Sequence, residues 1–322
     1  MSVYFELGLV LCLTLATTAF IFGIAAGNLA LWILKKSQRM HILGRNPNIS
    51  FWLRLSPFTF AALCTAITIP AFLLFEPRQT SEHTPKFLFL PSALGAALLV
   101  VVAIRGLRGL FLSARFKRAL SHTAAPFPWA SDVPIRSVGA PAYSLAVLGI
   151  MRQCIFIGNE LSRSLNRGEL EAAIAHEMSH VRAHDNLRRV LLNATRVPAI
   201  LGNLAELDLV WASAAECAAD REALRDGNSA LDLGSAIITI AKIQTARFPF
   251  SGAMSGLVST SEASAIRIRI EQLRHELQDS PSKDACPRSV LRLLTSLLVV
   301  AYFGALPFVL PLVHRFMEKL ID

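Results

Sequence analysis

At four places in the chain, apolar side chains run for about the ~20 residues that a helix needs to cross a bilayer. The first run covers about Glu6 to Leu34, long enough to tilt or protrude, and the second covers about Leu53 to Phe75. The third runs from Phe87 to Ile104, and the fourth stands apart at about Leu293 to Val313. Pro57 and Pro70 predict kinks in the second, and Pro307 and Pro311 a bend at the far end of the fourth, all of which packed membrane helices tolerate. Between the third and fourth runs the pattern shortens to the periods of a folded domain. A Pro-rich stretch between Ser121 and Ser137 reads as a linker. Ser144–Leu148 and Cys154–Ile157 are short runs around a Gly149 turn, which predicts a β-hairpin. Apolar Leu170, Ala173, Ile174, Met178 and Val181 recur at helical spacing, with Asn166 as N-cap and Glu169 three residues on. Val190 to Val210 is apolar but broken by Pro198 and Gly202, so it predicts a helical hairpin against the membrane-proximal face rather than a further span. Helices are also predicted over Trp211–Arg225, Leu231–Ala246 and Ser264–Leu277, and no internal repeat is visible.

Composition agrees with the membrane reading and orients it. The 322 residues are 53% hydrophobic and only 17% charged, well below the roughly one quarter usual for soluble proteins. No basic region precedes the first apolar run, which is also too long for a cleavable signal peptide. Lys35, Lys36, Arg39, Arg45 and Arg54 follow the first run, and Arg105, Arg108, Arg115, Lys117 and Arg118 follow the third. Cytoplasmic flanks collect such residues, so both segments are expected inside the cell, together with everything from about Phe111 to Pro287. The net charge of +9 is then topological and head-group-binding, not a nucleic-acid surface, because no basic stripe interleaved with aromatics runs through the domain. Five scattered cysteines without a CxxC pair, Cys12, Cys64, Cys154, Cys217 and Cys286, read as reduced thiols.

The chemistry is carried by two stretches. In the first, HEMSH places His176 and His180 at i and i+4, on one helix face, within reach of a single metal ion. Glu177, one step round the helix, can meet a metal-bound water without being a ligand, which is the place of a general base. A catalytic zinc needs a third protein ligand. His184 lies about 12 Å along the helix axis from His176 and cannot converge. Asn186 stands where a metzincin would have histidine. The better third ligand is Glu216 in the Ala-rich WASAAECAADREALR, with Asp220 one turn on, placed to accept a hydrogen bond from the outer nitrogen of a bound imidazole.

HEMSHVRAHD followed by ECAADREAL resembles the membrane-embedded gluzincin peptidases, among them the BlaR/MecR-type sensor-transducers and the HtpX and CAAX-prenyl endopeptidase group. The resemblance spans roughly Pro141 to Leu273 in its motifs. It implies one Zn2+ per chain held by His176, His180 and Glu216, with Glu177 as general base and Asp220 behind the ligands. Asp185 matches the family's aspartate and is expected to pair with a base such as Arg221. Arg269 to Leu273, RIRIEQL in context, matches a segment these families carry after the zinc site. The implied fold is a mainly α membrane protein with four transmembrane helices and a cytoplasmic α+β gluzincin-type zinc metallopeptidase domain containing a small β-hairpin or sheet. Residues 1–110 form the three-helix region, 111–287 the domain, and 288–322 the last helix and a short tail. The implied activity is a metalloendopeptidase of a bacterial inner membrane, acting on a protein or peptide substrate that adds to an edge strand. Three spans before the domain and one after favour the BlaR/MecR type. Only about Arg315 to Asp322 follow the last span, so no external sensor domain is expected, and a signal would come from a separate membrane sensor protein. The alternatives are an HtpX-like quality-control peptidase and a non-catalytic membrane adaptor. Oxyanion candidates are Arg267, Arg269 and His275, with nothing in the sequence to choose among them.

Overall fold

The computed structural model describes residues 2–77, 84–139, 145–247, 266–274 and 309–319. Three helices, α1 (Ser2–Lys36), α3 (Pro47–Phe75) and α4 (Phe89–Thr123), are long and apolar enough to cross a membrane. A short α2 (His41–Arg45) precedes α3, whose first turn is started by Pro47 and capped by the Asn46 side chain. The helix continues through both Pro57 and Pro70. Bulky apolar side chains such as Phe22, Leu63, Leu90 and Leu99 point outward from these helices, as on a surface made for lipid. α1 and α4 approach closely at Gly95, where a Cβ would strike the Thr17 hydroxyl.

α4 differs from its sequence expectation in length. It does not stop near Ile104 but carries Arg105 to Arg118 on the same continuous helix to Thr123. Charges ended the apolar run there without breaking the helix, because Arg and Lys are good helix formers. Of the fourth predicted run, most lies outside the described residues. Residues 309–319 are helical, and Leu310 and Met317 are buried with Tyr4, Leu7, Leu11 and Phe72 at the far end of the α1–α3 pair.

After α4 the chain builds a four-stranded sheet in the order β1-β2-β4-β3. The strands are β1 (Ala125–Pro126), β2 (Ile135–Val138), β3 (Leu145–Leu148) and β4 (Cys154–Gly158). β3 and β4 form the expected antiparallel hairpin, with Leu145 opposite Ile157 and Leu148 opposite Cys154. The Ser121–Ser137 stretch is more than a linker. It pairs β1 with β2 and sets β2 parallel to β4, while Phe127 and Trp129 pack into the domain core. Its prolines interrupt pairing only where the chain turns, and burial of Ile135 and Val138 holds β2 in place. β4 is buried along its whole length, and each of Ile155, Phe156 and Ile157 contributes about 1.5–3 kcal/mol by leaving water.

α5 (Asn159–Ser164) leads to α6 (Arg167–Ala183), which opens with the predicted capping box: Asn166 accepts from the Glu169 amide and Glu169 from the Asn166 amide, both at 2.9 Å. α7 (Asp185–Ala194) packs on α4 and α8 (Glu206–Arg225) on α3; the stretch expected as a helical hairpin, Val190 to Val210, is instead the end of α7, a 3-10 turn at Ala199–Leu201 and the start of α8. α9 (Ala230–Arg247) and the helical segment 266–274 close the far side of α6 and α8 through Leu233, Ile237 and Leu273.

Candidate metal centre

The helix predicted across the motif divides in two. His184 takes a left-handed conformation (φ 54, ψ 38), and its amide caps α6 on the carbonyls of His180 and Val181. The chain then restarts as α7 in a new direction. That turn brings Asp185 back under the motif: its Oδ2 lies 2.7 Å from His180 Nδ1. Asp185 is therefore the partner of a motif histidine, while Arg221, the expected base, donates to the Arg45 carbonyl. His184 itself caps the helix and lies outside the cluster.

α6 and α8 pack against each other, with Ala172 of α6 and Ala223 of α8 buried in one cluster. The contact brings His176, His180 and Glu216 together, with one donor atom from each lying within 4.8 Å of the other two. The two Nε2 atoms face each other at 3.2 Å. Glu216 closes the triangle, Oε2 at 3.4 Å from His176 and Oε1 at 3.5 Å from His180. Behind the ring, Asp220 Oδ1 stands 2.8 Å from His176 Nδ1, as Asp185 stands behind His180.

These distances define the chemistry. Each outer nitrogen faces a carboxylate, which only accepts, so each Nδ1 is the donor. In the neutral imidazoles both Nε2 atoms then carry bare lone pairs, pointed at one another and at a carboxylate. Three acceptors so arranged repel unless a cation lies between them. Two ligands at about 2.0–2.1 Å on a tetrahedral ion are about 3.3–3.4 Å apart; the two Nε2 atoms at 3.2 Å fit that spacing, and Glu216 turns one oxygen toward each of them. Protons respond to the same demand. Burial pushes His180 down, but hydrogen bonds to Asp185 and Glu216 outweigh it and raise its pKa to about 10. For His176 too, burial lowers the pKa, and the bonds to Asp220 and Glu216 turn the net shift upward. Burial raises Glu216, yet the two histidines hold it well below the usual carboxylate range.

Glu177 is half-buried on α6, and its charge adds to the proton affinity of His180. Arg269, named in the sequence only as one of three oxyanion candidates, serves a different end. From the 266–274 segment it grips Asp220 with two 2.7 Å bonds and reaches Glu216 Oε2 at 3.2 Å. Its guanidinium is thus held among the carboxylates. Of the other candidates, Arg267 is exposed and paired with Glu271, and His275 lies outside the described residues. Arg189 on α7, passed over in the sequence, stands half-exposed 3.6 Å from Glu216 Oε1. No local spacing signals it. Cys217 turns away from the ring into a buried position, where burial pushes its thiol pKa up.

Three apolar helices long enough to span a bilayer support a membrane protein, and the His176, His180, Glu216 cluster is consistent with zinc binding. No curated protein matches the chain. Residues 137–265, less than half of the chain, match the model of Peptidase family M48, a stretch that runs from β2 through α9 and contains every residue of the triangle and both aspartates behind it. A metallopeptidase domain similar to Peptidase family M48, beside membrane-spanning helices, is what the match and the geometry support together.

Proposed function

We propose that the protein is an integral-membrane zinc metalloendopeptidase that hydrolyses peptide bonds of a protein substrate, with His176, His180 and Glu216 as ligands and Glu177 as general base. One observation carries the reading. Two imidazole nitrogens and a Glu216 oxygen converge within 4.8 Å of one another, and both imidazoles are backed by carboxylates that fix their tautomers. Zinc held there would supply Lewis acidity to a scissile carbonyl and would lower the pKa of a bound water far below its bulk value, toward about 7. The Glu177 carboxylate accepts that water's proton and returns it to the leaving amine. Asp220 and Asp185 keep each Nδ1 protonated and each Nε2 free throughout.

The substrate enters extended along β3, which is an edge of the sheet among the described residues. Asn186 already holds the Val147 and Gly149 carbonyls at 3.0 Å, so the available part of that edge lies toward Leu145. Lys and Arg at the end of α1 and along the second half of α4 support an orientation with the domain on the cytoplasmic side of a bacterial inner membrane. Regulation of the BlaR/MecR kind, by cleavage of a cytoplasmic repressor on a signal from a separate membrane sensor protein, is the role we favour over membrane-protein quality control.

The experiment compares proteins cleaved in cells expressing wild type or Glu177→Gln. Loss of the general base is expected to slow hydrolysis by about 10²–10⁴-fold while zinc stays at wild-type occupancy. Proteolysis at the wild-type rate in Glu177→Gln overturns the assignment. A cleaved set made of damaged membrane proteins, not a repressor, favours the quality-control role.

A further inference from the structure

The far end of the ligand-bearing helix is fastened to all three long helices. On α3, Arg54 is completely buried, with Nε 2.8 Å from Asp208 Oδ1 and Nη1 3.2 Å from the Thr195 carbonyl. Its Nη2 has no hydrogen-bond partner among the described residues. Lys35, in the last turn of α1, pairs with Glu206 at 2.5 Å. Arg105 on α4 donates to the Arg196 carbonyl at 2.9 Å. Each long helix therefore contributes one cation, and the recipients are the carbonyls that end α7 and the acids of the first turn of α8. Beyond this level the loop between α7 and α8 reaches further in. Asn28 holds it at the Leu201 carbonyl and the Asn203 amide, and Val197 is buried among Phe20, Ile24 and Phe58.

The other ends of the same two helices carry the metal centre. α7 begins with Asp185, and α8 carries Glu216 and Asp220. Glu216 lies eight residues after Asp208 on unbroken helix, about 12 Å along a rigid rod. Along it Trp211 and Ala215 pack on Phe51 and Leu55 of α3. A shift of α8 at its start is therefore a shift of the Glu216 carboxylate relative to two histidines that belong to a different helix.

Building on the metal-centre reading above, we propose that Arg54 is a positioning residue: by tying Asp208 to the Thr195 carbonyl it fixes the height and rotation of α8, and so sets how tightly Glu216 closes the metal site. A ligand displaced by about 1 Å can cost on the order of a hundredfold in a preorganised site. A membrane partner that moves α3 acts on Glu216 through the same tie.

The test uses purified full-length protein in lipid nanodiscs, with zinc affinity from chelator competition and the Co2+ absorption spectrum as a second readout. Arg54→Gln is expected to weaken zinc by roughly tenfold or more and to alter the Co2+ bands. Arg54→Lys keeps the charge but not both bonds and is expected to fall between. Lys35→Gln, at a half-exposed pair, is expected to cost about threefold, and it serves if Arg54→Gln does not accumulate. A merely structural arginine predicts a lower melting temperature with an unchanged zinc constant and unchanged Co2+ bands; that result overturns the inference. Zinc binding by wild type and its loss in His176→Ala, with Arg54 and Lys35 variants unaffected, overturns it while sparing the metal centre. Absence of zinc binding by wild type overturns both.

Discussion

The first turn of α8 and its middle are both ringed by charge, and they are balanced in different ways. At the start, Lys35 and Arg54 from the long helices meet Glu206 and Asp208, and Arg105 meets a carbonyl beside them. Both carboxylates there meet a cation from a long helix. At the middle of the helix, Glu216 meets two imidazoles whose inner nitrogens face it and each other, with Asp220 and Asp185 behind them. Acceptors outnumber donors at that level, even with Arg269 pressed against Asp220 and Glu216. A ring that is complete in itself holds helices together. A group of two inner nitrogens and a carboxylate converging on one point is built to take a cation from outside.

The sharpest way to break this comparison is to remove one corner of the triangle. Glu216→Ala and His180→Ala are each expected to reduce bound zinc from one per chain to none at micromolar free metal, because two ligands do not hold catalytic zinc. Elemental analysis of the purified protein decides it, and a full zinc complement in either variant rules the triangle out. Removing a charge behind the triangle is expected to do less. Asp220→Asn should weaken zinc by about 10–100-fold, toward the upper end because it also costs Arg269 one of its two 2.7 Å bonds and the carboxylate charge facing it. Asp185→Asn should fall toward the lower end, since it strands no buried arginine. Equal zinc constants in wild type and both variants would show that the aspartates do not tune the site.

How much of this could be read from the chain follows from the range of each interaction. The pairs His176 and His180, and Glu216 and Asp220, are one helical turn apart, so their spacing places each pair on a common face. Which aspartate serves which histidine depends on tertiary geometry. The left-handed turn at His184 that swings Asp185 under His180 carries no glycine to announce it. Arg269 reaches Asp220 across 49 residues of sequence, and in the pattern of its own helix it is one polar position among several. The same holds in the fold. The β3–β4 hairpin is local and was legible, whereas the parallel pairing of β2 with β4 joins residues twenty apart through a Pro-rich segment that resembles a linker. The full length of α4 was hidden because hydropathy reports where an apolar run ends, not where the helix does.

The mildest test follows from protons competing for the triangle. In the metal-free protein His180 keeps its proton up to about 10: burial opposes the charge, but the bonds to Asp185 and Glu216 prevail. His176 is shifted in the same direction. Both must give up the Nε2 proton before they can act as ligands, so zinc binding below about pH 10 releases protons. The sign is therefore fixed. Apparent zinc affinity rises with pH, by roughly tenfold per unit for each proton displaced, and approaches a plateau only as His180 nears its own pKa. An ordinary surface histidine pair, with pKa values near about 6.5, would instead level off at about pH 7. Chelator competition between about pH 6 and pH 9 separates the two, and Asp185→Asn sharpens the result, because removing the carboxylate behind His180 lowers its proton affinity and should flatten the slope above neutrality. A profile flat from about pH 7 upward in wild type would mean that the carboxylates do not hold protons on the ring, and that the acceptor excess inferred at this level of α8 is already satisfied within the chain.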